Sequence, residues 1–196
     1  MKHIYKNNKS PYTFLLLHGT GGDEHDLLGL AQVINPTYNV LSVRGEVQEH
    51  GMNRFFKRLS EGVFDEEDLV YRTHQLNDFV DMKAIEYGFD RSKVIALGYS
   101  NGANIAASIL FHYQDAFDKA ILLHPMVPIR KELPDLSDIS IFIGAGKNDP
   151  ICPPEQSIEL ERLFKEAHAQ VHLHWENNGH RLTQSEVDAV KDWLLK

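Results

Sequence analysis

The chain has 196 residues, enough for one domain with a full core, and its 42% hydrophobic and 24% charged content is ordinary for a globular protein. A formal net charge of −8 argues against a nucleic-acid partner, because no basic stripe offsets the repulsion from phosphates. Residues 1–9 lack an apolar signal core and no apolar run reaches the roughly 18 residues needed to cross a bilayer. The lone cysteine, Cys152, rules out an intrachain disulfide, so a cytoplasmic location without a membrane span is expected.

Residues 12–18 form a continuous apolar run ending at Gly19, the pattern of a strand buried on both faces. Residues 25–34 read as a helix and 40–43 as a second buried strand. Residues 45–64 mix aromatics and charges and read as irregular. A long helix is predicted over Glu66–Tyr87, with acids 65–68 at its positive end and Gly88 as its C-cap. A strand at 94–97, a helix at 103–113 and strands at Lys119–Leu123 and 139–145 follow. Residues 154–167 read as a helix with proline at its start, 171–175 as an alternating edge strand, and 183–195 as a closing helix. Thr183 and Glu186 have the spacing of a capping box. No repeat or linker breaks the chain, so one domain over 1–196 is expected. Strands alternating with helices predict the α/β class, a mainly parallel sheet covered on both faces. Such sheets bind ligands at the carboxyl ends of their strands.

Between the strand at 94–97 and the helix from 103 lies Gly98-Tyr99-Ser100-Asn101-Gly102. Gly-x-Ser-x-Gly in strand–turn–helix context projects the serine hydroxyl out of the sheet. The helix N-terminus behind it offers N–H groups and a positive dipole end to an oxyanion. A serine hydroxyl is a weak nucleophile until a base takes its proton and a third group orients that base. With this motif the acid and then the histidine follow at later strand ends. Asp149, just past the strand at 139–145, and His180, in Asn177-Asn178-Gly179-His180 before the last helix, meet that order. Asp23, Asp26, Asp65 and Asp68 precede the serine and fail it. His124, at the end of Lys119–Leu123, precedes Asp149 and is expected to pack as a neutral core or rim residue. Taken alone, Asp149-Pro150 is a common turn and His180 a plain surface histidine. Their joint placement carries the triad Ser100, Asp149 and His180.

An oxyanion hole needs two N–H donors. One is expected from Asn101, the residue after the nucleophile, and the other from Thr20 in His18-Gly19-Thr20-Gly21-Gly22, which matches the His-Gly-x-Gly-Gly oxyanion loop of esterases. The backbone acts at both positions, so their side chains are expected to matter little. The same loop lacks the Lys and Ser/Thr of a P-loop and is too short for a dinucleotide fingerprint. His172 and His174 share one strand face with His168 nearby, but no third ligand has firm spacing. No metal and no cofactor are expected. Cys152 reads as a small buried residue, not a nucleophile.

Together these residues resemble an α/β-hydrolase over essentially the whole chain, of the small carboxylesterase/phospholipase type that includes acyl-protein thioesterases and bacterial carboxylesterases. The segment 54–69 (RFFKRLSEGVFDEEDL) is similar to a bacterial subgroup of such carboxylesterases or phospholipases, one that includes the esterase associated with hydroquinone and quinone stress. The resemblance implies the same triad and oxyanion donors, no cap domain, and an open site. Serine at position 100 sets the chain apart from dienelactone hydrolases, which use cysteine. A small-molecule ester or thioester substrate is implied, and a homodimer is an assembly that similar proteins often form. Met52, Phe55 and Phe56 either line an acyl pocket or lie in the core under a long loop. Met126, Val127 and Ile151, near strand ends, are expected as candidates for the other wall. Arg44 and Glu46 read as a structural ion pair or as contacts to a polar substrate group. The expected function is carboxylic ester hydrolysis through an acyl-enzyme. The alternatives are a thioesterase or lysophospholipase for longer acyl chains, and a non-catalytic ligand-binding relative.

Overall fold

A computed structural model of the protein describes residues 1–195. In chain order the elements are β1 (His3–Lys6), β2 (Thr13–Leu17), α1 (Leu28–Ile34), β3 (Asn39–Val43), β4 (Val47–Glu49), β5 (Met52–Arg54), β6 (Arg58–Ser60), β7 (Val63–Phe64) and α2 (Glu66–Tyr87). Then come β8 (Val94–Tyr99), α3 (Asn101–His112), β9 (Lys119–Leu123), β10 (Ser140–Gly146), α4 (Pro154–Glu166), β11 (Gln170–Glu176) and α5 (Gln184–Leu194). The main sheet runs β1-β3-β2-β8-β9-β10-β11. Only the β1–β3 pair is antiparallel.

β2 and β3 are buried along their whole length, which is why they read as continuous apolar runs. One face packs under α2, α3 and α4 through Leu76, Ile105, Leu110, Leu160 and Phe164. The other packs under α1 and α5 through Ala31, Val187 and Val190. This is the covered, mainly parallel sheet that the alternation predicts. β1 has no apolar run and was not expected. It docks on the edge through Tyr5, whose ring stacks on Tyr87 at 4.2 Å.

Residues 45–64 are not irregular, and this corrects the sequence reading. They fold as two short antiparallel hairpins, β4–β5 and β6–β7. His50 and Gly51 carry φ of 50° and 82°, both positive as a two-residue type I′ turn requires. Strands of two or three residues are too short for a periodicity to register. Helix α1 begins at Leu28 rather than 25, because Asp23 Oδ1 accepts the His25 N–H at 2.8 Å and holds the preceding residues in turns. Helix α2 keeps its predicted bounds. Asp65 caps it by accepting from the Asp68 N–H, and Gly88 closes it at φ 70°. Thr183 caps α5 by accepting the Glu186 N–H at 3.0 Å. The Glu186 carboxylate does not complete a capping box; it turns into the interior.

Candidate active site

Ser100 sits between β8 and α3 with φ 52° and ψ −113°, a strained conformation for a non-glycine residue. Two close approaches fix this elbow. A Cβ on Gly102 would stand 1.9 Å from the Leu17 carbonyl oxygen, and one on Gly98 would stand 2.6 Å from the Gly102 carbonyl oxygen. The Ser100 N–H donates to Leu123 O at 2.9 Å, tying the turn to β9.

His180 lies on the loop after β11, with Nε2 2.9 Å from Ser100 Oγ and Nδ1 2.7 Å from Asp149 Oδ2. Its backbone is held from two sides. The Tyr99 hydroxyl donates to His180 O at 2.5 Å, and the neighbouring Gly179 N–H donates to Asn148 Oδ1 at 2.9 Å. Asp149 lies just past β10. Its Oδ1 accepts the N–H groups of Ile151 at 2.8 Å and Cys152 at 2.9 Å. Burial pushes the Asp149 carboxyl up, but those N–H groups and the two histidines outweigh it and hold the group below the usual carboxylate range.

His124 departs from expectation. It is fully buried, with Nδ1 3.0 Å from Asp149 Oδ2 and Nε2 3.3 Å from Glu186 Oε2. Burial pushes the imidazole down, yet the Glu186 and Asp149 carboxylates outweigh it and hold the ring above the usual histidine range. Two carboxylates facing the two ring nitrogens favour the charged form of His124, in place of the neutral packing residue that its sequence position suggested. Its φ of 53° is positive as well. The Cys152 thiol donates to His124 O at 3.2 Å, and burial and the Asp149 charge push that thiol up. Tyr99 is pushed up to about 12 by burial and the same charge.

Thr20 and Asn101 border the cleft that holds Ser100. Their side chains are not idle, which corrects a second expectation. Asn101 Oδ1 accepts the Phe55 N–H at 2.7 Å, and Thr20 Oγ1 accepts from Arg54 Nη1 at 2.7 Å. His18 locks the glycine loop: its Nδ1 donates to Gly19 O at 2.6 Å, while Nε2 accepts the Gly45 N–H at 3.0 Å.

Of the substrate-side candidates, Met126 and Ile151 line the Ser100 cleft. Phe55 and Phe56 do not: at 3% and 0% exposed they belong to the core, against His18 and Phe64. Val127 is also core, and Met52 lies over Gly21. The core reading therefore holds for both phenylalanines. Sequence reasoning missed Arg54 and Arg58, which do line the cleft, because they fall in the stretch read as irregular. Arg44 and Glu46 are not a pair. Arg44 binds Glu24 and Asp23, whereas Glu46 faces the N-terminal ammonium at 3.4 Å and Arg72 at 3.7 Å. Of the three histidines set aside as metal ligands, His168 pairs with Asp135, His174 pairs with Glu176, and His172 lies against Phe142.

Ser100, Asp149, His180 and the Thr20 loop all leave the carboxyl ends of strands β8, β10, β11 and β2. A covered parallel sheet with a serine at a strand–helix elbow, a histidine against it and an acid behind defines the α/β-hydrolase class. The chain belongs to the Phospholipase/Carboxylesterase family, whose model matches residues 3–196. It is 57% identical over 194 residues to Putative hydrolase MhqD of Bacillus subtilis (strain 168), covering 98% of this chain and 97% of that one. The crystal structure of the Bacillus cereus carboxylesterase matches with a TM-score of 0.97 at 56% identity, covering 98% of this chain and 92% of that one. The structure of YahD with malic acid matches with a TM-score of 0.94 at 36% identity, covering 99% and 98%. No helix among the described residues is long and apolar enough to cross a membrane.

Proposed function

We propose that this chain is a serine carboxylesterase in which Ser100 is the nucleophile, His180 the general base and acid, and Asp149 the group that orients His180. The observation that carries the reading is the unbroken line Ser100 Oγ–His180 Nε2 at 2.9 Å and His180 Nδ1–Asp149 Oδ2 at 2.7 Å. His180 removes the Ser100 proton as the hydroxyl attacks the ester carbonyl. The backbone N–H groups of Thr20 and Asn101 receive the oxyanion. His180 then protonates the leaving alcohol, and in a second half-reaction it activates the water that frees Ser100.

The cleft at Ser100 has a volume of only about 50 Å³. Arg54 and Arg58 also line a neighbouring groove of about 520 Å³, so acyl chain length is the measurement that separates a short-ester enzyme from the thioesterase and lysophospholipase readings. Residues 1–196 would act as one hydrolase domain on a small-molecule ester, without a cofactor. The binding-module reading has no support in this arrangement, since a binder needs no assembled proton relay.

Fluorophosphonate labelling followed by peptide mass spectrometry tests the reading. A stoichiometric adduct on Ser100, absent from Ser100→Ala, is expected. A folded wild-type protein that takes up no label overturns it. An acyl chain-length series should show activity falling beyond short chains, and malic acid is a first small acid to try as an inhibitor.

A further inference from the structure

Arg54 and Arg58 share a single carboxylate at the edge of the Ser100 cleft. Arg54 Nε lies 3.5 Å from Glu49 Oε2, and Arg58 Nε donates to Glu49 Oε1 at 2.9 Å. Arg54 is only 3% exposed. Its hydrogen bonds go to neutral oxygens, Nη1 to Thr20 Oγ1 at 2.7 Å and Nε to Phe56 O at 3.2 Å. Both arginines line the same cleft as Ser100. Glu61 lines it too, but it is exposed, and water screens its charge. Two guanidinium groups against one carboxylate leave positive charge uncompensated in a partly dry cleft. Burial and the Arg58 charge both push the Arg54 guanidinium down from its usual value, as expected of a cation short of an anion. A desolvated cation is costly unless it is paired, and the planar guanidinium fork matches a carboxylate.

We propose that the Ser100 cleft selects esters that themselves carry a carboxylate, with Arg58 and Arg54 binding that group. The inference rests on the hydrolase reading above and names the substrate class of that site. The carboxylate sits either on the acyl side, as in a half-ester of a dicarboxylic acid, or on the alcohol side, as in an acylated hydroxy acid. In both, the anion is held at the β5–β6 end of the cleft and the ester carbonyl is placed over Ser100. Anchoring a remote group in this way raises kcat/KM by fixing the reacting carbonyl beside the nucleophile.

Two isosteric pairs test it in a pH-stat assay. Monoethyl succinate is compared with ethyl 4-methylpentanoate, and acetoxyacetate with isobutyl acetate. Each pair differs only in replacing a carboxylate by an isopropyl group. The charged member of at least one pair is expected to have a kcat/KM about tenfold or more higher, and the preferred pair identifies the side that carries the anion. That ratio should fall about tenfold in Arg58→Gln, recover in part in Arg58→Lys, shrink as NaCl is added, and persist in Arg130→Gln, a surface change elsewhere. Hydrolysis of the neutral esters with no preference for charge in either pair overturns this inference and leaves the hydrolase reading standing. No hydrolysis of any of the four esters, together with no fluorophosphonate label on Ser100, overturns both.

Discussion

His124 and His180 share one oxygen of Asp149: their Nδ1 atoms stand 3.0 Å and 2.7 Å from Oδ2. Asp149 is thus held from behind by a second imidazole, which is held in turn by Glu186 at 3.3 Å. The His124–Glu186 pair adds no net charge, so Asp149 faces His180 as a single anion. A lone buried Glu186 or a lone buried imidazolium would each be costly; together they fix the position of Asp149.

This network sets a stability window. The folded pKa of His124 is raised, so its contribution is complete below the unfolded value near 6.5 and is lost as pH rises through the folded value. The folded pKa of Asp149 is lowered, so its contribution is present above the unfolded value of 3.8 and is lost as pH falls through the folded value. Urea unfolding should therefore show greatest stability between these limits, with a decline on the alkaline side. Glu186→Gln removes the charge that keeps His124 protonated. It should lower the unfolding midpoint near pH 6, where the pair contributes most, and weaken the alkaline decline. An unchanged unfolding midpoint would mean that the pair is not charged.

Triad substitutions should separate by chemistry. Ser100→Ala should lower ester kcat by about 10⁴-fold or more. Asp149→Asn should cost about as much, because an amide in place of the carboxylate favours the wrong imidazole tautomer. Steady-state kinetics with a short chromogenic ester would read both effects.

Two glycines predict opposite outcomes. Gly102→Ala places a methyl 1.9 Å from Leu17 O, where backbone faces backbone and neither can retreat. The elbow should distort, with a large drop in Tm and loss of Ser100 labelling. Gly29 lies inside α1, and a Cβ there meets nothing within 4 Å. Gly29→Ala should raise stability by up to about 1 kcal/mol through the lower helix cost of alanine, with labelling unchanged. A melting series over both variants distinguishes steric demand from mere backbone freedom.

The contrast between what the sequence disclosed and what it hid has a physical basis. That Ser100, Asp149 and His180 come together was legible because one local motif and one chain-order rule restrict where each can lie, and the strands that carry them are apolar runs. β1 was not legible, since an edge strand with a solvated side needs no apolar run. Glu186 was misread because its three-residue spacing from Thr183 fits a cap. A contact distant in sequence, with His124, draws its carboxylate inward instead. Gly144 makes the room: a Cβ there would stand 2.0 Å from Glu186 Oε1. Arg54 and Arg58 were hidden because hairpins of two or three residues per strand leave no pattern from which a direction can be read.

Cys152 provides a check on how closed the back of the site is. It lines the Ser100 cleft, so proximity alone suggests a reactive thiol. The chemistry opposes this: the thiol is buried, donates to His124 O at 3.2 Å, and sits beside the Asp149 anion. Burial and that charge push its pKa up, so little thiolate forms at neutral pH. Iodoacetamide at pH 8 should leave Cys152 unmodified in the native protein and alkylate it rapidly in urea. In Asp149→Asn the repelling charge is gone while most of the burial remains. Native-state alkylation there should rise only modestly if desolvation dominates the shift, and steeply if the charge does. Mass spectrometry of the cysteine peptide over time measures both rates. Fast native labelling of the wild type would show that the region behind His180 opens to solvent and is not the closed, charged network seen around His124.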